Sequence, residues 1–218
     1  MIGIVIALQS EAKPILEKVE NLKKIIFLDK LAYQGKLFNK DVVIVICGIG
    51  KVSAGISTQA LIDKFTPEYI LNVGTSGGTD TSVKVKNFYA IDKCFQFDFD
   101  VTEIDNVEKG YIQEYDRVFF PTHVNGLNFL NKTSLATADR FSNQKIDLDL
   151  IKQNGCAVRD MEGCAIAQTC LSNSIPFVCI KGVTDVYGTQ EDFYSNLTAV
   201  CAEIPQVVKK VIENVIID

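Results

Sequence analysis

The chain has 218 residues, 47% hydrophobic and 22% charged, enough apolar side chain to bury the core of a single α/β domain spanning 1–218. Its formal net charge of -5 comes without any cluster of Lys and Arg, which excludes a polyanion-binding face, so no nucleic-acid partner is expected. Residues 1–8 are apolar but lack a basic n-region, and no run approaches the roughly 18 apolar residues of a membrane helix, so a cytoplasmic protein with no membrane partner is expected.

In chain order, residues 2–7 read as a buried strand and 11–20 as a helix. Residues 31–38 and 42–47 form a hairpin about Asn39-Lys40-Asp41, and 52–65 carry helical spacing. Residues 69–73 are a strand followed by a loop, Gly74-Thr75-Ser76-Gly77-Gly78, and 88–91 are another strand. The segment 95–123, rich in Phe, Tyr and Asp with weak periodicity, reads as a long excursion near a ligand. Residues 161–171 form a helix, 177–183 a strand and 197–215 a helix that Pro205 kinks or divides. The strands are apolar almost throughout, as in a sheet covered on both faces. Their alternation with helices predicts a three-layer α/β/α fold with a mixed, mostly parallel central sheet.

Ligands of open α/β sheets bind beyond the carboxyl ends of the strands, which gives a shortlist. It contains Leu8 to Glu11, the loop 74–78, Asp160-Met161-Glu162-Gly163, and Thr184-Asp185. Three carboxylate positions and one Gly-rich hydroxyl loop therefore meet at one sheet edge, which suggests acid/base work on a polyhydroxylated ligand. Each piece also has a plainer reading. Glu11 and Glu162 suit the first turns of helices, Asp185 suits a cap, and glycines suit a tight turn. The loop 74–78 lacks P-loop spacing, and Gly48-Ile49-Gly50-Lys51 lacks the third glycine of a dinucleotide fingerprint.

The seven cysteines form no C-x-x-C pair and mostly sit in apolar runs, so they read as small buried hydrophobes, with neither a disulfide framework nor a zinc site. His123, the only histidine, lies among loop signals, and no metal is expected.

Five blocks in register resemble the 5′-methylthioadenosine/S-adenosylhomocysteine nucleosidases of the purine nucleoside phosphorylase superfamily. They are Ile2-Gly3-Ile4 with Glu11, Cys47-Gly48-Ile49-Gly50-Lys51-Val52, the stretch 71–78, Asp160-Met161-Glu162-Gly163-Cys164, and 176–185; Asp100-Val101-Thr102 and Ala138-Asp139-Arg140-Phe141 fall between them in the same order. The resemblance implies that Asp185 protonates N7 of a leaving adenine, with the backbone of Ser142 on its other edge and Phe141 stacked on it. Met161 packs under the ribose and Glu162 accepts its hydroxyls. Glu11 activates the attacking water and Thr75 orders the polar cluster. Leu8, Ile49, Val101, Ile104 and Phe193 wall the 5′-thio group. It further implies a small-molecule nucleoside substrate, a homodimer whose partner supplies part of 103–121, and no cofactor.

Three departures stand out. Lys181 replaces an arginine, Thr184 replaces a serine, and 103–121 lacks the Phe-Gly-Tyr-x-Tyr-Gly-Gln pattern of the family. A hydrolase for another nucleoside such as futalosine, a phosphorylase, and a non-catalytic nucleoside binder are the competing readings. Phosphorolysis would call for glycine and arginines where Glu11 stands.

Overall fold

The computed structural model describes residues 1–190 and 192–217. Strand β1 (Ile2–Ile6) explains the layering, because its side chains alternate between two faces and both faces are buried. Ile2, Ile4 and Ile6 pack with Ala12 and Ile15 of α1 (Gln9–Leu16) and with Ile204 and Val208 of α5 (Phe193–Asn214). Val5 faces the opposite cluster, with Ala54 and Leu61 of α2 (Lys51–Phe65) and Ile166 of α4 (Gly163–Ser172).

The strands form one ten-stranded sheet. At its centre β4 (Lys40–Ile46), β1, β5 (Tyr69–Gly78) and β10 (Phe177–Val186) are parallel. On one flank β2 (Glu20–Phe27) and β3 (Lys30–Leu37) meander antiparallel onto β4. The β3–β4 turn is Phe38-Asn39, at φ 48° and 65°, one residue earlier than the sequence suggests. Positive φ at both central residues is the hairpin geometry that matches strand twist. Lys23 and Lys24 lie exposed on the edge strand β2 and discourage further pairing.

The other flank closes on itself. Strand β10 pairs with β6 (Phe88–Gln96), which takes β7 (Phe119–Pro121) and β8 (Asn131–Thr137). Strand β8 pairs with β9 (Cys156–Asp160), and β9 returns to β5 at Gly77 and Gly78. This is possible because β5 outruns β1, whose pairing ends at Asn72, leaving that edge open for β9.

Several predicted boundaries move. The segment 74–78 is not a loop but the continuation of β5, held there by β10 and β9. Strand β10 likewise runs to Val186 across a bulge between Val183 and Asp185, so Asp185 lies on a strand rather than after one. Helix α1 ends at Leu16, and Glu20 opens β2. Strand β6 extends to Gln96, so the ends of 95–123 belong to scaffold strands β6 and β7. Helix α4 starts at Gly163 with Glu162 as its N-cap, and α5 runs from Phe193 through a buried Pro205 unbroken. Strands β8 and β9 and helix α3 (Lys145–Gln153) are additions to the elements that the sequence predicts. All seven cysteines are free and buried, and among the described residues no helix is long and apolar enough to cross a membrane.

Candidate active site

Glu11 is 2% exposed, and its carboxylate joins two elements. One oxygen folds back within the first turn of α1 and accepts the Leu8 amide at 3.0 Å, the capping role that the sequence allowed. The other reaches β5 and accepts both the Thr75 amide at 2.7 Å and its hydroxyl at 2.8 Å. Three donors on one buried carboxylate fix its position at the end of β1.

Glu162 is the N-cap of α4 and accepts the Gly50 amide at 2.9 Å. Burial pushes its carboxyl up to about 7, the charge of Asp160 adds to the rise, and Lys181 and the Gly50 amide partly offset it. Beneath it lies a buried ion pair, Lys181 Nζ to Asp160 Oδ2 at 2.8 Å. Asp160 also accepts the Thr137 hydroxyl at 2.6 Å and the Gly163 amide at 2.8 Å. Burial alone would draw Lys181 below the ordinary lysine range, but the neighbouring negative charges, led by Asp160, outweigh it and raise it. The lysine that departs from the family pattern therefore keeps its charge, which is neutralised by Asp160.

Asp185 is brought opposite Gly77 by the β10 bulge. Its Oδ1 accepts the Thr184 hydroxyl at 2.9 Å and its Oδ2 accepts Arg159 Nη2 at 3.2 Å. Arg159 itself is buried in β9, and burial draws it down while Asp185 partly offsets this.

These groups line one cavity of about 260 Å³. Leu8, Glu11, Ile49, Thr75, Phe141, Ser142, Met161, Glu162, Asp185 and Phe193 all contribute to its wall. Phe141, 65% exposed, stands at the rim, while Ser142 is buried. Val101 and Ile104 do not line it; they lie in a turn closed by the Ile104 amide on the Val101 carbonyl, and Ile104 is 84% exposed.

The sequence reading missed Arg159, Arg140 and Phe97, which share the wall. Arg159 left no signal of its own, because it follows Cys156-Ala157-Val158 and precedes Asp160 as an ordinary strand-end charge would. Phe97 lies in the 95–123 excursion, and Arg140 is held by Asp147 through two bonds of 2.9 and 2.6 Å. Among the described residues no group of three or more His, Cys, Asp or Glu side chains is arranged to hold a metal ion. The arrangement places two carboxylates with fixed acceptor oxygens, Glu11 and Glu162, in the same cavity as a third, Asp185. It is suited to activating water and to protonating a leaving group on a ligand of nucleoside size.

A sequence model described as the phosphorylase superfamily matches residues 1–213. The chain is 32% identical to a 5′-methylthioadenosine/S-adenosylhomocysteine nucleosidase of Colwellia psychrerythraea, covering 86% of this chain and 84% of that one. It is also 32% identical to a nucleosidase of the same name from Staphylococcus carnosus, over 85% of this chain and 86% of the relative. Among solved structures, the Colwellia nucleosidase in complex with adenine superimposes with a TM-score of 0.87 at 30% identity, covering 97% of this chain and 94% of that one.

Proposed function

Because the chain belongs to the phosphorylase superfamily and, within it, to the 5′-methylthioadenosine/S-adenosylhomocysteine nucleosidases, we propose that it hydrolyses the N-glycosidic bond of those two nucleosides to release adenine. The observation that carries this reading is the convergence of Glu11, Glu162 and Asp185 on one cavity. Glu11, held by Leu8 and Thr75, takes a proton from the attacking water. Glu162 accepts the ribose hydroxyls above Met161, and its charge favours the oxocarbenium-like transition state. Asp185 delivers a proton to N7 as the bond from C1′ to N9 breaks, which avoids expelling an adenine anion; general acids of this kind are worth about 10² to 10⁴ in rate. Phe141 covers the base, the Ser142 backbone meets its other edge, and Leu8, Ile49 and Phe193 wall the 5′-thio group.

Water rather than phosphate is the nucleophile. Arg140 and Arg159, the two arginines on the wall, are each tied to a carboxylate, and Glu11 would repel an anion at the end of β1. A panel of nucleosides assayed for free base with and without phosphate tests this. Adenine release from 5′-methylthioadenosine that does not depend on phosphate is the expected result.

The same reading makes the protein a homodimer. Ile49, Val52, Ile56 and Ile104 are all more than half exposed, and Val52 and Ile56 stand one turn apart on α2. A second copy covering this face would bring its own Val101 and Ile104 to the cavity mouth, giving both residues the role that the resemblance assigns them. Sedimentation at micromolar concentration should give twice the monomer mass. Buried, unpaired cysteines suit a reducing cytoplasm, and the products suit methionine salvage.

A further inference from the structure

Arg159 is out of place by composition, since a buried guanidinium in a strand must be fully provided with partners. The fold supplies partners for three of its five N–H donors, both of those on Nη2 among them, which leaves donors for a ligand in the cavity that Arg159 lines. Nη1 donates to the Gly78 carbonyl, and Nη2 donates to Asn143 Oδ1 at 2.9 Å and to Asp185 Oδ2 at 3.2 Å. Gly77 makes room for it, because a Cβ there would fall 2.8 Å from Cζ and 3.0 Å from each Nη. The guanidinium is therefore a fixed part of the cavity wall, beside the carboxylate that meets N7.

What such a pair reads follows from the edge of the purine it faces. Adenine offers an acceptor at N7 and a donor at its 6-amino group, whereas a 6-oxopurine offers two acceptors, N7 and O6. A carboxyl group with one proton satisfies adenine, giving the proton to N7 and accepting from the amine. Arginine can only donate, and placed next to that carboxyl it supplies what a carbonyl needs. From this geometry, and resting on the nucleosidase reading above, we propose that the base subsite also takes 6-oxopurines, so that the protein cleaves 5′-thio nucleosides of hypoxanthine as well as of adenine. Arg159 donates to O6 while Asp185 protonates N7. The reaction is the same hydrolysis: the bond from C1′ to N9 breaks, the water oxygen bonds C1′, its proton passes to Glu11, and N7 keeps the proton from Asp185.

The test compares kcat/KM for 5′-methylthioadenosine and 5′-methylthioinosine in the wild type, Arg159→Met and Arg159→Lys, with inhibition by free adenine and hypoxanthine as a readout independent of turnover. The wild type is expected to cleave both. Arg159→Met should lower the inosine-to-adenosine ratio by about tenfold or more, the scale of one lost purine-edge contact, and should weaken hypoxanthine inhibition more than adenine inhibition. If Arg159→Met does not fold, Arg159→Lys is read in the same ratio, since lysine keeps the charge but loses the fork. A wild type that cleaves the adenosine compound alone overturns the inference and leaves the nucleosidase reading standing, whereas cleavage of neither overturns both. Equal losses on both substrates in the folded variant would make Arg159 a positioning residue for Asp185 and overturn the proposed specificity.

Discussion

Gly74 lies against the carboxylate of Glu11: a Cβ at position 74 would fall 2.9 Å from Oε1 and 3.3 Å from both Cδ and Oε2. The requirement for glycine here is one of space, imposed by a side chain on another element. Gly74→Ala should push Glu11 off Thr75 and lower kcat by about tenfold or more, since misplacements near 1 Å are costly. The fold should lose only the roughly 1–3 kcal/mol typical of overpacking. Steady-state kinetics alongside thermal melts separate the two, and unchanged kcat in the Gly74→Ala protein would detach Glu11 from catalysis.

The elevated carboxyl of Glu162 has two consequences for pH. Its folded value, about 7, lies above the ordinary 4.5, so between these the folded protein holds a proton that the unfolded chain has released. The stabilising contribution of the protonated group is thus lost as pH rises across that window. With Glu162 accepting the ribose hydroxyls as proposed, recognition would use the ionised form, so kcat/KM should fall as pH is lowered through about 7. Glu162→Gln should lower kcat/KM by about 10 to 100-fold, the worth of a charged hydrogen bond, and flatten that limb. Persistence of the limb in Glu162→Gln would assign it to another group.

Lys181 and Asp160 are buried together, so removing one leaves the other unpaired. Lys181→Met should destabilise the fold by about 3–5 kcal/mol in urea melts, and adding Asp160→Asn should recover part of the loss by removing the orphaned charge. Strictly additive losses in the double variant would show that the pair is not energetically coupled.

Asp185→Asn keeps a side chain that can hydrogen-bond adenine but cannot release a proton. It should lower kcat by about 10² or more with a modest loss of adenine affinity. A p-nitrophenyl riboside that the pocket accepts, whose leaving group needs no proton, should be far less sensitive. Equal loss on both substrates would reduce Asp185 to a positioning role.

The layers and most of the cavity wall were legible in the sequence because they rest on local signals. The apolar run of β1 shows burial on both faces, Glu11 and Asp185 each follow or interrupt such a run, and Glu162 opens a helical pattern; Ile49, Phe141, Ser142 and Phe193 came from the family resemblance alone. What stayed hidden depends on non-local pairing. The segment 74–78 looks like a loop until β9 arrives to hold Gly77 and Gly78, and the polar edge strand β2 has no apolar face to announce it. Arg159 is informative only once β9 sets it against Gly77 and Asp185. Ile104, which the family resemblance places in the wall, is exposed and lies outside the cavity of its own chain.

The proposed role of Glu11 as the base that activates water is tested most directly by carrying out the reaction on 5′-methylthioadenosine in phosphate-free H₂¹⁸O. The account predicts free adenine and a 5-methylthioribose labelled at the C1′ oxygen, with release about 10² or more slower in folded Glu11→Gln protein. A strict requirement for phosphate with a ribose-1-phosphate product, or wild-type turnover in Glu11→Gln, would contradict it.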